Sequence, residues 1–89
     1  MLPCHCPGCQ TPLTVKVMQC DGCSTEVHGH FKLPILAKLS LEEQNFILNF
    51  IKNSGSLKEM AKQLSLSYPS VRNLLDEIID KIKKIENHE

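Results

Sequence analysis

The sequence predicts a small α+β chain: an N-terminal β-hairpin carrying two cysteine pairs, then an all-α, trihelical unit ending in a long C-terminal helix. Three observations lead there. All five cysteines fall within the first 23 residues, four of them in the pairs CPGC at 6–9 and CDGC at 20–23. Past Leu33-Pro34, glycine and proline thin out and apolar residues recur at helical spacing. The run SLKEMAKQLSLSYPSVRNLLDEI holds a small residue, a turn and apolar positions at the intervals two crossing helices require.

Length and charge bound the reading. With 89 residues the chain makes one small domain or two minidomains, and below about 80 residues a core alone is marginally stabilising. A metal or a partner chain is expected to supplement it. Ten basic residues balance ten acidic ones, so no global field draws the chain to nucleic acid or to an anionic membrane. No apolar run approaches the roughly 20 residues of a membrane span, and MLPCHCPGC lacks the apolar stretch of a signal peptide. A cytoplasmic protein with no membrane contact is expected. In that reducing compartment clustered thiols read as metal ligands, and five leave one spare. The expected organisation is 1–33 for the cysteine-bearing part, 34–39 for a linker and 40–89 for the helices.

Leu13, Val15 and Val17 alternate with Thr14, Lys16 and Met18, the period-two pattern of a strand. Ser24 to Phe31 offers a second strand through Val27 and Phe31. Each strand leaves one cysteine turn, so the two pairs can meet at one end of a hairpin, which is a zinc-ribbon arrangement. After the linker KLPILAKL, Ser40 and Glu43 form a capping box and a helix should start at Leu41. Phe46, Ile47, Phe50 and Ile51 share its inner face until Asn53-Ser54-Gly55 ends it. Ser56 and Glu59 repeat the box ahead of a short helix over 57–64, which stops at Ser65-Leu66-Ser67. Tyr68-Pro69 opens a third helix, proline being tolerated in a first turn, and it runs to about Ile85.

Two residues between cysteines let a tight turn aim both sulfurs at one ion, and two such turns complete a tetrahedron. Cys6, Cys9, Cys20 and Cys23 are therefore expected to hold one structural zinc with no open position for catalysis. The ten residues between the pairs are fewer than ribbons commonly use, but a tight hairpin fits them. A redox dithiol at Cys6 and Cys9 is the alternative, though it leaves the second pair unexplained and lacks a strand-helix-strand context. Iron in the same four-thiolate set is chemically open. Cys4 and His5 flank the first pair, and a site shifted to Cys4 would lengthen its loop. His28 and His30 share a strand face and read as solvent-facing, while His88 reads as terminal. No nucleophile with a placed base, buried carboxylate pair or phosphate loop is visible, and His28 shows no acid or base partner, so no enzyme is expected.

In the helical part Ala61 is small where helices cross, Ser65 occupies the turn, and Val71 and Leu74 follow to lock the next helix in place. Leu57, Met60 and Leu64 complete the inner face with Phe46, Phe50 and Ile51. This is a helix-turn-helix, with serine at a turn where glycine is usual. Ser67, Tyr68, Ser70, Arg72 and Asn73 then face outward near the start of the third helix. Arginine can bond a guanine edge and asparagine an adenine edge, while serines with helix amides suit phosphates. Lys58 and Lys62 can clamp the backbone of double-stranded DNA. Against this stand Asp76, Glu77 and Asp80 on the same helix, and over residues 40–89 seven Lys/Arg meet eight Asp/Glu, a net charge of minus one. Binding thus calls for a dimer or help from the ribbon. Val71, Leu75, Ile78, Ile82 and Ile85 recur at intervals of four and three, and with Val71 and Leu75 used internally, Ile78, Ile79, Ile82 and Ile85 are left to dock a second copy. The alternative is that they fold back onto Leu33, Ile35, Leu36 and Leu39.

CPGC, CDGC, GHF leading into LPILAKLS, and SLKEMAKQLSLSYPSVRNLLDEI together resemble a bacterial family of small zinc-ribbon plus helix-turn-helix proteins, the domain-of-unknown-function 2089 family. The helical part is similar to the DNA-binding ends of sigma factors and response regulators. The resemblance implies a transcriptional regulator, with Cys6, Cys9, Cys20 and Cys23 as zinc ligands and Ser67 to Asn73 as the groove-facing segment. The competing expectation is an adaptor that binds a protein, such as transcription machinery, without reading DNA.

Overall fold

The computed structural model describes residues 2–87, and they divide into two units, one ending at Lys38 and the other beginning at Leu39. In the first, β1 (Thr14–Gln19) and β2 (Glu26–Lys32) pair antiparallel as a two-stranded sheet. Thr14 lies opposite Lys32 and Gln19 opposite Glu26. Between them the register slips: Val15 faces Phe31 but Val17 faces His28, so β2 carries one extra residue across this step. The bulge falls between His28 and Phe31, and the strict alternation that would put His28 and His30 on one face is interrupted there. Gly29 stands in it for a steric reason. A Cβ at that position would lie 2.5 Å from Cζ of Phe31, whose ring covers the glycine backbone.

Leu13 and Val15 are half-buried, but Val17, Met18, Val27 and Phe31 are exposed, and Leu33 is the one buried apolar side chain of this unit among the described residues. Within the expected linker, Ile35–Lys38 forms a 3-10 turn. The Cys4 thiol donates to the Ala37 carbonyl at 2.6 Å and ties this turn to the start of the chain.

The second unit consists of α1 (Leu41–Lys52), α2 (Leu57–Leu64) and α3 (Tyr68–Asn87). Ser40 caps α1 in a complete capping box: the Glu43 amide donates to Ser40 Oγ at 3.1 Å, and the Ser40 amide donates to Glu43 Oε1 at 2.8 Å. At α2 only half of the box forms. The Glu59 amide donates to Ser56 Oγ at 3.2 Å, while the Glu59 carboxylate lies 3.6 Å from Lys62. α1 ends through Ser54 and Gly55, both at positive φ, and a reciprocal amide pair between Asn53 and Gln63, at 3.0 and 3.3 Å, ties its end to α2. The turn between α2 and α3 is set by Ser65 at φ 56°, ψ 39°. There the Leu66 amide donates to the Ala61 carbonyl at 3.0 Å and the Ser65 amide to that of Lys62 at 3.3 Å, closing the helix in a Schellman motif.

The core of this unit gathers Leu39, Phe46, Leu57, Met60, Val71 and Ile78, with Phe50, Leu75, Ile82 and Ile85 packed partly against it. Met60 and Val71 are enclosed almost completely, at 1% and 0% exposure. Phe46 and Phe50 stack one turn apart with ring centroids 6.5 Å apart. Four expectations need correction. Leu64, expected on the inner face of the second helix, is 41% exposed, because Leu57 and Met60 already fill that face. Ile51 is 67% exposed rather than internal, because Phe46 and Phe50 already fill the inner face of α1. Leu74 stays at the edge, since the seam through Val71, Leu75 and Ile78 turns Leu75 inward instead. Ile78, expected to dock a second copy, is 5% exposed and belongs to the chain's own core.

Candidate metal centre and nucleic-acid interface

Each cysteine pair is built as the same small loop. In the first, the Cys6 amide donates to the Thr11 carbonyl at 2.9 Å and the Gln10 amide to the Cys6 carbonyl at 2.9 Å. In the second, the Cys20 amide donates to the Thr25 carbonyl and the Ser24 amide to the Cys20 carbonyl, both at 2.8 Å. Both chains turn back through a left-handed residue just after the second cysteine, Gln10 at φ 64° and Ser24 at φ 63°. The first loop is closed by a bridge of His5 with Pro12 and by the Leu13 amide donating to the Cys4 carbonyl at 2.8 Å. The second is the tip of the β1–β2 hairpin.

Cys4 and His5 thus serve the frame. The backbone of Cys6 begins the loop, and the Cys4 thiol is committed to Ala37, so the pairing of Cys6 with Cys9 is the one the fold supports.

Electrostatics favour thiolates at the second cysteine of each pair. The Thr11 hydroxyl first, then the Thr11 backbone and the Cys6 sulfur, hold the Cys9 thiol below its ordinary range. Thr25 and Cys20 do the same for Cys23, in the same order. The Gly8 amide also donates to Cys6 Sγ at 3.3 Å. A lowered thiol with amide and hydroxyl donors around it is the form a soft metal ion binds. Pair by pair, the donor set fits zinc. The structure brings Cys6 to Cys9 and Cys20 to Cys23, and among the described residues no three His, Cys, Asp or Glu side chains gather as one metal-holding group.

Thr11 and Thr25, whose hydroxyls lie against the Cys9 and Cys23 sulfurs, are the residues of this candidate site that sequence reading missed. Their signal was the repeat Cys-x-Gly-Cys-x-Thr in CPGCQT and CDGCST. A second omission is the partner of His28, whose Nε2 lies 2.9 Å from Glu26 Oε1 on an exposed strand face. His88 lies outside the described residues.

In the second unit, α2, its three-residue turn and α3 make the helix-turn-helix. Tyr68, Ser70, Arg72 and Asn73 are all exposed at the start of α3, as are Ser67 before it and Lys58 and Lys62 on α2. Ser67 caps α3: its hydroxyl accepts from the Ser70 amide at 3.3 Å and pairs with Ser70 Oγ at 2.9 Å. Arg72 lies with Nε 3.5 Å from Asp76 Oδ1 one turn on, an exposed pair that contributes little and is readily opened. Asn73 and Lys58 make no side-chain bond among the described residues. Ile79, Ile82 and Ile85 are half-buried along the far half of α3. No described helix is long and apolar enough to cross a membrane.

Family models place the two units. Residues 6–37 match the DUF2089 zinc ribbon, and residues 39–85 match the domain of unknown function (DUF2089)-HTH. No curated protein and no solved structure matches the chain. With more than half of its length matched by the helical model alone and the cysteine loops matched by the other, the chain belongs to the DUF2089 family, as a zinc ribbon followed by a helix-turn-helix.

Proposed function

We propose that this chain is a non-enzymatic, cytoplasmic DNA-binding regulator whose ribbon is stabilised by one structural zinc. The observation that carries the reading is the helix-turn-helix itself, with Tyr68, Ser70, Arg72 and Asn73 exposed at the start of its second helix and no core role assigned to any of them. In this reading Arg72 and Asn73 read base edges, Ser67 and Ser70 lie with the helix amides against phosphate, and Lys58 and Lys62 hold the backbone. Cys6, Cys9, Cys20 and Cys23 hold the zinc, which supplies fold stability rather than reactivity. Because residues 40–89 carry a net charge of minus one, a homodimer supplies the missing phosphate contacts. It docks through Ile79 and the uncovered parts of Ile82 and Ile85, which pack only in part against the chain's own core, with Ile78 excluded by its burial.

The test is selection of zinc-loaded protein on random duplex DNA, followed by titration with salt. Enrichment of a pseudo-palindrome whose affinity falls steeply with salt supports the dimeric reader. Arg72→Ala should cost about 1–3 kcal/mol and relax specificity at one base position. Zinc counted per chain against protected thiols tests the metal assignment, one ion shielding four sulfurs being the expected result.

A second reading is favoured by one feature. Between α1 and the α2–α3 turn lies an open groove of about 640 Å³ floored by Phe46, Met60, Leu66 and Leu74 and edged by Glu42 and Glu77. An apolar groove with an acidic rim suits a protein segment and repels DNA. Folded, metal-replete protein that enriches no DNA supports an adaptor that docks a protein partner there, such as transcription machinery.

A further inference from the structure

We infer that Thr11 and Thr25 are positioning residues for the metal-bound sulfurs of Cys9 and Cys23, each hydroxyl donating to the sulfur two residues before it. The inference rests on the zinc reading above and adds to it two residues outside the four ligands.

The two loops differ at their variable positions, Pro7 against Asp21 and Gln10 against Ser24, yet both end in threonine. Both bring that threonine to the same place. Thr11 Oγ1 lies 3.2 Å from Cys9 Sγ and Thr25 Oγ1 lies 3.0 Å from Cys23 Sγ. The backbone enforces this, since the threonine carbonyl is held by the amide of the first cysteine and the left-handed residue before it folds the chain back toward sulfur. Threonine's branched Cβ then leaves few rotamers for the hydroxyl.

As a protonated thiol, Cys9 is the donor and Thr11 Oγ1 the acceptor. A zinc-bound sulfur carries no proton. The only hydrogen left between the two atoms is then the hydroxyl's, so the bond reverses direction and becomes charge-assisted, about twice as strong as a neutral one. Four thiolates on a divalent ion leave a net charge of minus two. Hydroxyl donors at two of the four sulfurs draw off part of that charge, orient the remaining lone pairs and make those sulfurs poorer nucleophiles. Threonine merely as a strand-forming residue would require none of this, and valine would serve as well.

The experiment compares the full-length zinc-loaded chain with Thr11→Val, Thr25→Val, the double Val variant and the double Ser variant. Valine keeps size and branching and removes the hydroxyl, whereas serine keeps the hydroxyl. The readouts are the rate of cysteine alkylation by N-ethylmaleimide, zinc affinity against a competing chelator, and the sulfur-to-metal charge-transfer band of the cobalt(II)-loaded protein. The double Val variant is expected to lose about tenfold in zinc affinity, to alkylate several-fold faster and to shift the cobalt band to lower energy, with the Ser variant close to wild type. Equal spectra and rates for wild type and the Val variants overturn the inference, as does a Ser variant that behaves like Val. A wild-type chain that takes up neither zinc nor cobalt overturns the metal reading itself, and this inference with it. Circular dichroism of α1 to α3 reports in every case whether the second unit is intact.

Discussion

Ser65 closes α2 at φ 56° and ψ 39°, a left-handed conformation that costs a residue with a Cβ roughly 1–2 kcal/mol. Glycine adopts it freely, at the expense of a more flexible unfolded chain. Ser65→Gly should therefore stabilise the helical unit by about 0.5–1 kcal/mol, seen as a thermal midpoint raised by several degrees. A lower midpoint would mean that the serine hydroxyl contributes more than the strain costs. The position of this turn was legible in the sequence because Ala61, Ser65 and Val71 stand at fixed intervals. Thr11 and Thr25 were not, because threonine beside a strand reads as an ordinary β-former. Only the folded loop shows that its hydroxyl faces sulfur.

At the scale of an element, α1 depends on its first turn. Glu43 Oε1 accepts from the Ser40 amide and also lies 2.6 Å from Lys81 Nζ, which joins the start of α1 to α3. Burial pushes the Glu43 carboxyl up, but Lys81 and the Ser40 amide and hydroxyl outweigh it and hold the group below the usual carboxylate range. A depressed folded value contributes stability that is fully present above the unfolded value of about 4.3 and is lost as pH falls through the folded one. Denaturant midpoints of wild type and Glu43→Gln should therefore differ at neutral pH and converge in acid. Ser40→Ala should cost about 1 kcal/mol in the same measurement. Capping signals gave both helix starts in advance. The second box failed to complete because Glu59 had Lys62 within reach one turn on, a competition that spacing alone leaves undecided. Ile51 was misplaced for a related reason: a helix has room inside for only part of a wide apolar stripe, and the neighbour decides which part.

Across the whole molecule the two units stand on different footings. The helical one encloses Met60, Val71 and Ile78, whereas among the described residues the ribbon buries a single apolar side chain, Leu33. A metal chelator should therefore unfold the ribbon and spare the helices. The expected result is rapid amide exchange over residues 6–32 with the helical circular dichroism largely retained, while loss of both signals together would show that the helices rely on the metal as well. The division into two parts and the family were legible because cysteine spacing and helical periodicity are local properties. That the two cysteine pairs stand as separate groups among the described residues was not, since ligand spacing is silent about the path of the chain between them.

The uncovered apolar side chains of the hairpin, Val17, Met18, Val27 and Phe31, bear on how long the protein lasts in a cell. A segment whose shape depends on a bound ion opens when that ion is scarce, and proteolysis follows the population of the open form. On the zinc reading proposed above, cellular abundance should then track zinc supply through turnover alone, without any change in synthesis. Pulse-chase labelling should show a shorter half-life under zinc starvation, and a half-life indifferent to zinc would break that link.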